Sequence, residues 1–206
     1  MPKIKVKRQT DHINRHQAEN ICHAFDFAKW IGCPLNFYIV INLKNCDDGV
    51  VPTEAFQALL EKYRDWLCYV TKKLGREKVA PAYVFSHENP DDFAHVNWVV
   101  HVPAHLREEF LRKLPTWVGK VQTEVREFDI SIEEVDPFTD KTLAKYVIKG
   151  TDPRYVPYLH LQEVAAPQGR IEGRRASSSI AIGRAAREAA NFIPKRDRNK
   201  WMACAA

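Results

Sequence analysis

Two apolar segments separated by a strong turn signal constrain the fold more than any other part of the sequence. Residues 79–86 and 95–102 are rich in β-branched and aromatic side chains, and an Asn-Pro-Asp-Asp turn at residues 89–92 lies between them. Two such segments joined by a short loop form neighbouring antiparallel strands. The sequence therefore predicts a β-hairpin that ends at Pro103, because proline cannot donate to a strand ladder.

The pattern on either side of this hairpin predicts a mixed α+β domain. Apolar periodicity and turn residues indicate helices at residues 11–31, 52–70, 104–114 and 139–149, and further strands at 35–43 and 128–135. Pro115 is expected to end the third helix, Thr139 or Asp140 to cap the fourth, and Gly150 to end it. After an N-terminal helix, the order is β-α-β-β-α-β-α. Its first six elements match the ferredoxin-like pattern of an antiparallel sheet with two helices on one face.

Composition limits the classes to which the chain can belong. With 206 residues, 45% of them hydrophobic, the chain is long enough for one domain with an appendage. No apolar run reaches membrane-spanning length and the N-terminus lacks a signal-peptide core, so a cytoplasmic protein without membrane contact is expected. The five cysteines are scattered and form no C-x-x-C pair, which argues against a disulfide framework or a thiolate zinc site.

Charge is concentrated near the C-terminus. From residue 165 onward there are nine Lys and Arg against three Asp and Glu, whereas the rest of the chain has 22 against 23. We therefore divide the chain into a basic, disordered lead-in at residues 1–9, a domain at 10–160 and a basic C-terminal arm at 161–206. Such an arm suits an anionic polymer, although its charge alone does not distinguish nucleic acid from a membrane surface, or from a tail that serves solubility.

Three polar side chains of the hairpin form a candidate metal site. His95 and Asn97 are two residues apart on a strand and share a face, and Glu88 is expected beside His95 near the end of the adjacent strand. One imidazole, one carboxylate and one amide oxygen suit Mg²⁺ or Mn²⁺ better than zinc. The alternative is a purely structural histidine, which is common in strands.

The last predicted helix carries a candidate nucleophile. Tyr146 and Lys149 are three residues apart and share a helical face, whereas Lys145 faces elsewhere. A phenol with a pKa of about 10 is a poor nucleophile unless nearby cations favour the phenolate. The alternative is an ordinary half-buried tyrosine beside a surface lysine.

Taken together and in this order, the two motifs resemble the HUH endonuclease superfamily, which nicks single-stranded DNA in rolling-circle replication, transfer and transposition. Tyr146-Val-Ile-Lys149 is similar to the Tyr-x-x-Lys motif of its single-tyrosine replication initiators. His95 matches the first metal-binding histidine and Glu88 the third ligand. The resemblance covers about residues 35–150 and implies attack by Tyr146 on DNA, a 5′-phosphotyrosine link, and Lys149 as an aid to catalysis.

The resemblance also implies partners, and the chain departs from the family's motif at one position. Single-stranded DNA at an origin or hairpin is the expected substrate, with unwinding left to a partner such as a host helicase, and the oligomeric state is open. The arginines of the arm are expected to bind DNA phosphates: Arg170, Arg174, Arg175, Arg184 and Arg187. Asn97 stands where the family has a second histidine, so metal affinity is in question.

Two other functions remain compatible with the sequence. A ferredoxin-like sheet can bind single-stranded DNA or RNA without chemistry, and a former nuclease that lost a histidine would be such a module. A structural protein of a mobile element is the third. Metal titration and a test for covalent DNA adducts distinguish these functions.

Overall fold

The computed structural model describes residues 9–43, 50–75, 79–139 and 142–194. The α-helices are α1 Arg15–Trp30, α2 Pro52–Lys73, α3 Arg107–Val118, α4 Leu143–Val147, α5 Val156–Leu159 and α6 Arg184–Ala189. The strands are β1 Gln9–Thr10, β2 Phe37–Asn42, β3 Tyr83–Glu88, β4 His95–Val100, β5 Ile130–Glu134, β6 Ile171–Glu172 and β7 Ala176–Ser178. Short 3-10 helices lie at Pro90–Asp92, Ala104–Leu106, Glu127–Asp129, Pro153–Tyr155 and Ile180–Ile182.

The central sheet confirms the α+β, ferredoxin-like prediction. Its strand order is β5-β2-β4-β3-β7, and every neighbouring pair is antiparallel. In the β2-α2-β3 unit, β4 lies between the two strands, and in the β4-α3-β5 unit, β2 does. This interleaving is the split βαβ arrangement, and it places the hairpin strand β4 at the centre of the sheet.

Both faces of the sheet are covered. One core joins the odd-numbered side chains of β2 to α2 and α3, with Tyr63, Trp66, Trp98 and Phe110 in edge-to-face or tilted contact. The opposite core joins Val84 and Val99 to α1, α4 and the C-terminal segment. Because side chains alternate along a strand, the polar residues at 86, 88, 95 and 97 lie on this second face, beneath α1 and α4.

Several helix and strand boundaries differ from the sequence prediction, among them those of α1, α3 and α4. Helix α1 begins at Arg15 because Asn14 forms a capping box with Gln17. Pro115 does not end α3, which continues to Val118; there Trp117 packs on Trp66 and Phe110, and burial of these rings outweighs the hydrogen bond lost at proline. The tyrosine helix is shorter than expected, and its predicted cap Asp140 lies outside the described residues.

The C-terminal segment does not form a separate arm over its described part. Strand β6 pairs with β1, and β7 is the outer strand of the central sheet against β3. Over residues 161–194 the segment predicted as a basic arm is joined to the domain, because β6 and β7 pair with its strands. The expected lead-in falls almost entirely on residues 1–8, which lie outside the described residues, as do residues 195–206.

Candidate active site

Glu88 and His95 form the first row of the candidate site. They are directly opposite in the β3–β4 register, and His95 Nε2 lies 2.9 Å from Glu88 Oε2. Glu88 is buried with 2% exposure, and its other oxygen, Oε1, has no hydrogen-bond partner among the residues that the structure describes. A buried carboxylate oxygen without a partner is costly, so this position suits a cation.

The next row contains Asn97 opposite Ser86, both fully buried. The Tyr38 hydroxyl donates a hydrogen bond of 2.6 Å to Asn97 Oδ1. Asn97 Nδ2 and Ser86 Oγ are buried, and neither has a hydrogen-bond partner within the described part of the chain. Tyr38 therefore fixes the orientation of the Asn97 amide, and the sequence prediction did not assign it this role.

The backbone around α4 brings Tyr146 and Lys149 over this face. Leu143 and Val147 are buried against the second core, and the following turn is tied to the segment just before α1 by a hydrogen bond from Ile13 N to Gly150 O. The Tyr146 ring meets Tyr38 edge-on, with 6.0 Å between ring centroids, and is 40% exposed. The candidate nucleophile is thus both at the site and open to solvent.

Lys149 connects the tyrosine to the carboxylate. Its Nζ lies 3.0 Å from Glu88 Oε2 and 3.8 Å from the centroid of the Tyr146 ring. An ammonium group over an aromatic face is attracted by the ring quadrupole. Tyr146, Lys149, Glu88, His95 and Asn97 therefore form one cluster, in which the two motifs of the sequence lie side by side.

The two tyrosines differ in their environment. Burial raises the pKa of Tyr38, and the neighbouring Tyr146 hydroxyl and Glu88 carboxylate raise this pKa further. Tyr38 consequently stays protonated and acts as a donor to Asn97. Tyr146 is the accessible phenol of the pair, which favours it as the nucleophile.

His95 is held by acceptors on both sides. Burial lowers its pKa, but the hydrogen bonds to Glu88 and to the Phe93 carbonyl outweigh burial, so the net pKa is raised. With Nδ1 bonded to the Phe93 carbonyl at 3.0 Å, Nε2 is the nitrogen that faces the site. This backbone bond fixes the ring as it does for many metal-binding histidines.

The other two histidines of the hairpin region lie apart from the site. His87 points to the opposite face and packs on Phe56 and Phe85, where burial, with Arg175 and His95 nearby, lowers its pKa to about 3. His101 contacts the Pro34 carbonyl. Neither is placed to share a cation with Glu88.

The residues present fit a divalent cation in part. Glu88 and His95 offer a carboxylate and an imidazole nitrogen in adjacent positions, and no described residue forms a hydrogen bond with Glu88 Oε1. No group of three His, Cys, Asp or Glu is arranged for a metal within the described residues. The third donor would be the Asn97 amide, whose oxygen has one lone pair left after the Tyr38 bond. Such oxygen-rich sites suit Mn²⁺ or Mg²⁺.

The arginines of the predicted arm divide into two groups. Arg175 and Arg187 are buried, with 1% and 6% exposure, so the expectation that they meet DNA as part of an exposed arm is wrong. Arg175 donates to the carbonyls of Thr10, His87, Gln168 and Gly169. Arg187 donates to the Ile182 carbonyl and to the side-chain oxygen Oδ1 of Asn20. Both guanidinium groups thus satisfy oxygen acceptors where the C-terminal segment packs on the domain.

The other three arginines are exposed. Arg170 pairs with Asp11 at 3.1 Å and Arg184 with Glu188 at 2.7 Å. Arg174 is exposed and has no ion-pair partner among the residues the structure describes. Arg174 and Arg184, but not Arg170, line three adjoining clefts of about 570, 500 and 530 Å³ that follow α1 from β1 to α6. The clefts are joined by shared lining residues: Asn14, Gln17 and Arg174, then His16, Asn20 and Arg184.

Comparison with known proteins finds no relative in sequence and a distant likeness in structure. The sequence matches no protein-family model and no curated protein. Among solved structures, the chain is similar to the catalytic domain of the Rep protein of adeno-associated virus type 5. That match covers 66% of this chain and 85% of the viral one, at 10% identity and a TM-score of 0.31. Likeness at this level does not assign the chain to a family.

Within the four described ranges, no helix is both long enough and apolar enough to cross a bilayer.

Proposed function

We propose that this protein nicks single-stranded DNA and rejoins it through a covalent bond to Tyr146. The observation that carries the proposal is one cluster in which a solvent-accessible phenol lies beside a buried carboxylate, an imidazole and an ammonium group. A tyrosine is a competent nucleophile toward phosphate when cations surround it. The resemblance of the two motifs to the HUH superfamily points to the same chemistry.

The chemical step exchanges one phosphodiester for another. The Tyr146 hydroxyl oxygen forms a bond to the phosphorus, the bond from phosphorus to the 3′ oxygen breaks, and the phenol proton passes to solvent. The departing 3′ oxygen takes up a proton, and the downstream strand stays on the protein by its 5′ phosphate. Attack by that 3′ hydroxyl on the phosphotyrosine reverses the step and rejoins the strand.

The chain's own residues supply position and charge for this step. Lys149 lies over the Tyr146 ring, where its ammonium group would neutralise a phosphate oxygen. Tyr38 holds the Asn97 amide and packs on Tyr146, which limits rotation of the nucleophile. Glu88, His95 and Asn97 would hold Mn²⁺ or Mg²⁺, and a bound divalent cation would act there as a Lewis acid on the phosphate.

The direct test uses a pool of random-sequence single-stranded oligonucleotides labelled at either end. With Mn²⁺, we expect a protein–DNA adduct that survives denaturing electrophoresis and is removed by protease. The 3′ label should remain on the protein and the 5′ label should be released, because the link is to the 5′ phosphate. Chelation of Mn²⁺ should abolish the adduct.

A specific feature favours the non-catalytic alternative enough to keep it in the test. The Tyr38 hydroxyl already donates a hydrogen bond to Asn97 Oδ1, and Lys149 already contacts Glu88. Asn97 and Glu88 therefore both have partners without a metal. Binding of the oligonucleotides with no adduct in the presence of Mn²⁺ would support a binding module and contradict the nickase.

Arg174 provides a separate prediction about DNA binding. Because it is exposed and unpaired at the junction of two clefts, we expect Arg174→Gln to weaken single-stranded DNA binding and to lower the salt slope by about 0.7, the contribution of roughly one phosphate contact. Fluorescence anisotropy across a salt series measures both. Arg112→Gln is the matched control, since Arg112 is exposed on α3 at the opposite face of the sheet. An equal effect of both substitutions would mean that the clefts along α1 are not the DNA path.

A further inference from the structure

We propose that the Lys149 ammonium group competes with the divalent cation for Glu88, so that Lys149 sets the metal affinity of the site. This inference rests on the proposed function, because it concerns the cation that the nicking chemistry would use. It assigns Lys149 a role in the absence of DNA that a phosphate-binding lysine on the surface would not have.

The position of Lys149 carries the inference. Its Nζ contacts Glu88 Oε2 at 3.0 Å, the same oxygen that His95 Nε2 contacts at 2.9 Å. The side chains of Lys149 and Glu88 are only 12% and 3% exposed, so water screens this pair weakly. Lys149 thus neutralises the carboxylate that a divalent cation would need.

Simultaneous occupation by both cations is unfavourable. A divalent ion bound to Glu88 and His95 would lie within a few ångströms of the ammonium group, and repulsion between like charges at that distance is strong in a partly buried site. Lys149 does not block the metal completely, because Glu88 Oε1 has no hydrogen-bond partner among the described residues and can still bind a cation. Binding of the metal should therefore displace Lys149 from Glu88.

A Lys149 side chain that is displaced from Glu88 can move toward Tyr146. Its Nζ already lies 3.8 Å from the centroid of the Tyr146 ring, and that ring is 40% exposed. Rotation of the flexible four-carbon stem would move the ammonium group from the buried carboxylate toward the solvent side of the tyrosine. A phosphate about to be attacked by Tyr146 would lie on that side, so metal binding would release Lys149 to the substrate.

The test is calorimetric titration of Mn²⁺ into the DNA-free protein, which needs no activity. Lys149→Met keeps the length of the side chain and removes its charge, so we expect its Kd for Mn²⁺ to fall at least about tenfold. Lys149→Arg keeps the charge and should bind Mn²⁺ as the unaltered protein does. Lys145→Met is the matched control, because Lys145 belongs to the same helix and is exposed away from Glu88.

A second readout covers the case in which Lys149→Met weakens the fold by leaving Glu88 without its ion-pair partner. Mn²⁺ should then raise the Tm of Lys149→Met more than that of the unaltered protein, because the metal replaces the missing charge. Equal or weaker Mn²⁺ binding by Lys149→Met, with no larger shift in Tm, would overturn the competition. In that case the proposed function would still stand, provided that Glu88→Ala removes Mn²⁺ binding. Undetectable Mn²⁺ binding by every variant would overturn both.

Discussion

Tyr146→Phe is expected to reduce the covalent DNA adduct to background while single-stranded DNA binding remains. The substitution removes only the hydroxyl oxygen that would bond to phosphorus, and the ring keeps its edge-on contact with Tyr38. Since Tyr146 is 40% exposed, the loss of the hydroxyl should leave the fold intact. Denaturing electrophoresis of the 3′-labelled oligonucleotide measures the adduct, and anisotropy measures binding.

The control for this prediction is the neighbouring phenol. Tyr38→Phe removes the donor to Asn97 Oδ1 but leaves Tyr146 in place, so the adduct should form more slowly and not disappear. Tyr155→Phe, in the 3-10 helix after the site, should have no effect on adduct formation. Full adduct formation by Tyr146→Phe, or loss of the adduct in Tyr38→Phe alone, would mean that a residue other than Tyr146 is the nucleophile.

The second large effect is expected at Glu88. Glu88→Gln keeps the shape of the side chain but removes the charge that holds both Lys149 and His95. We expect Mn²⁺ affinity to fall at least about a hundredfold, because the strongest oxygen ligand becomes a neutral amide. Adduct formation should fall with it, and calorimetry with the electrophoretic assay measures the two effects.

Stability provides an independent measure of the same substitution. The hydrogen bonds from Lys149 and His95 go to a charged, buried oxygen, so Glu88→Gln should lower the free energy of unfolding by about 2 kcal/mol. Glu108→Gln is the matched control, because Glu108 is exposed on α3 at the opposite face of the sheet and should leave Mn²⁺ binding unchanged and stability nearly so. Unchanged Mn²⁺ affinity in Glu88→Gln would mean that this carboxylate is not a metal ligand.

Local patterns predicted the hairpin and the row of Glu88 and His95. Strand alternation places residues two apart on one face, and a short turn fixes the pairing of adjacent strands, so the proximity of these two side chains followed from the sequence. The sequence pattern placed the end of β3 at Ser86, whereas the strand reaches Glu88. That difference makes Glu88 a direct cross-strand partner of His95.

The contacts that join the two motifs could not be predicted in the same way. Lys149 and Glu88 are far apart in the chain, and their contact depends on how α4 packs on the sheet and on the tie between Ile13 and Gly150. Tyr38 carried a signal, since strand alternation places it on the same face of the sheet as Asn97 on the neighbouring strand. Its hydrogen bond, however, depends on the register between β2 and β4.

The C-terminal arginines show why charge counts mislead about exposure. Arg175 and Arg174 are adjacent in the sequence, yet one is buried and the other exposed. The difference arises because Arg175 lies beside β7, where four backbone carbonyls from three other segments converge on its guanidinium group. Composition gives the number of charges in a segment but not which of them are used inside the fold.

Mass spectrometry of the purified adduct tests the central claim most directly. Trypsin cleaves after Lys145 and Lys149, so the peptide that contains Tyr146 is Tyr-Val-Ile-Lys. After nuclease digestion of the DNA, this four-residue peptide should carry a nucleotide joined through its phosphate to the tyrosine oxygen. A nucleotide found on any other peptide, or a protein that binds DNA and Mn²⁺ yet carries none, would contradict the assignment of Tyr146 as the residue that breaks the strand.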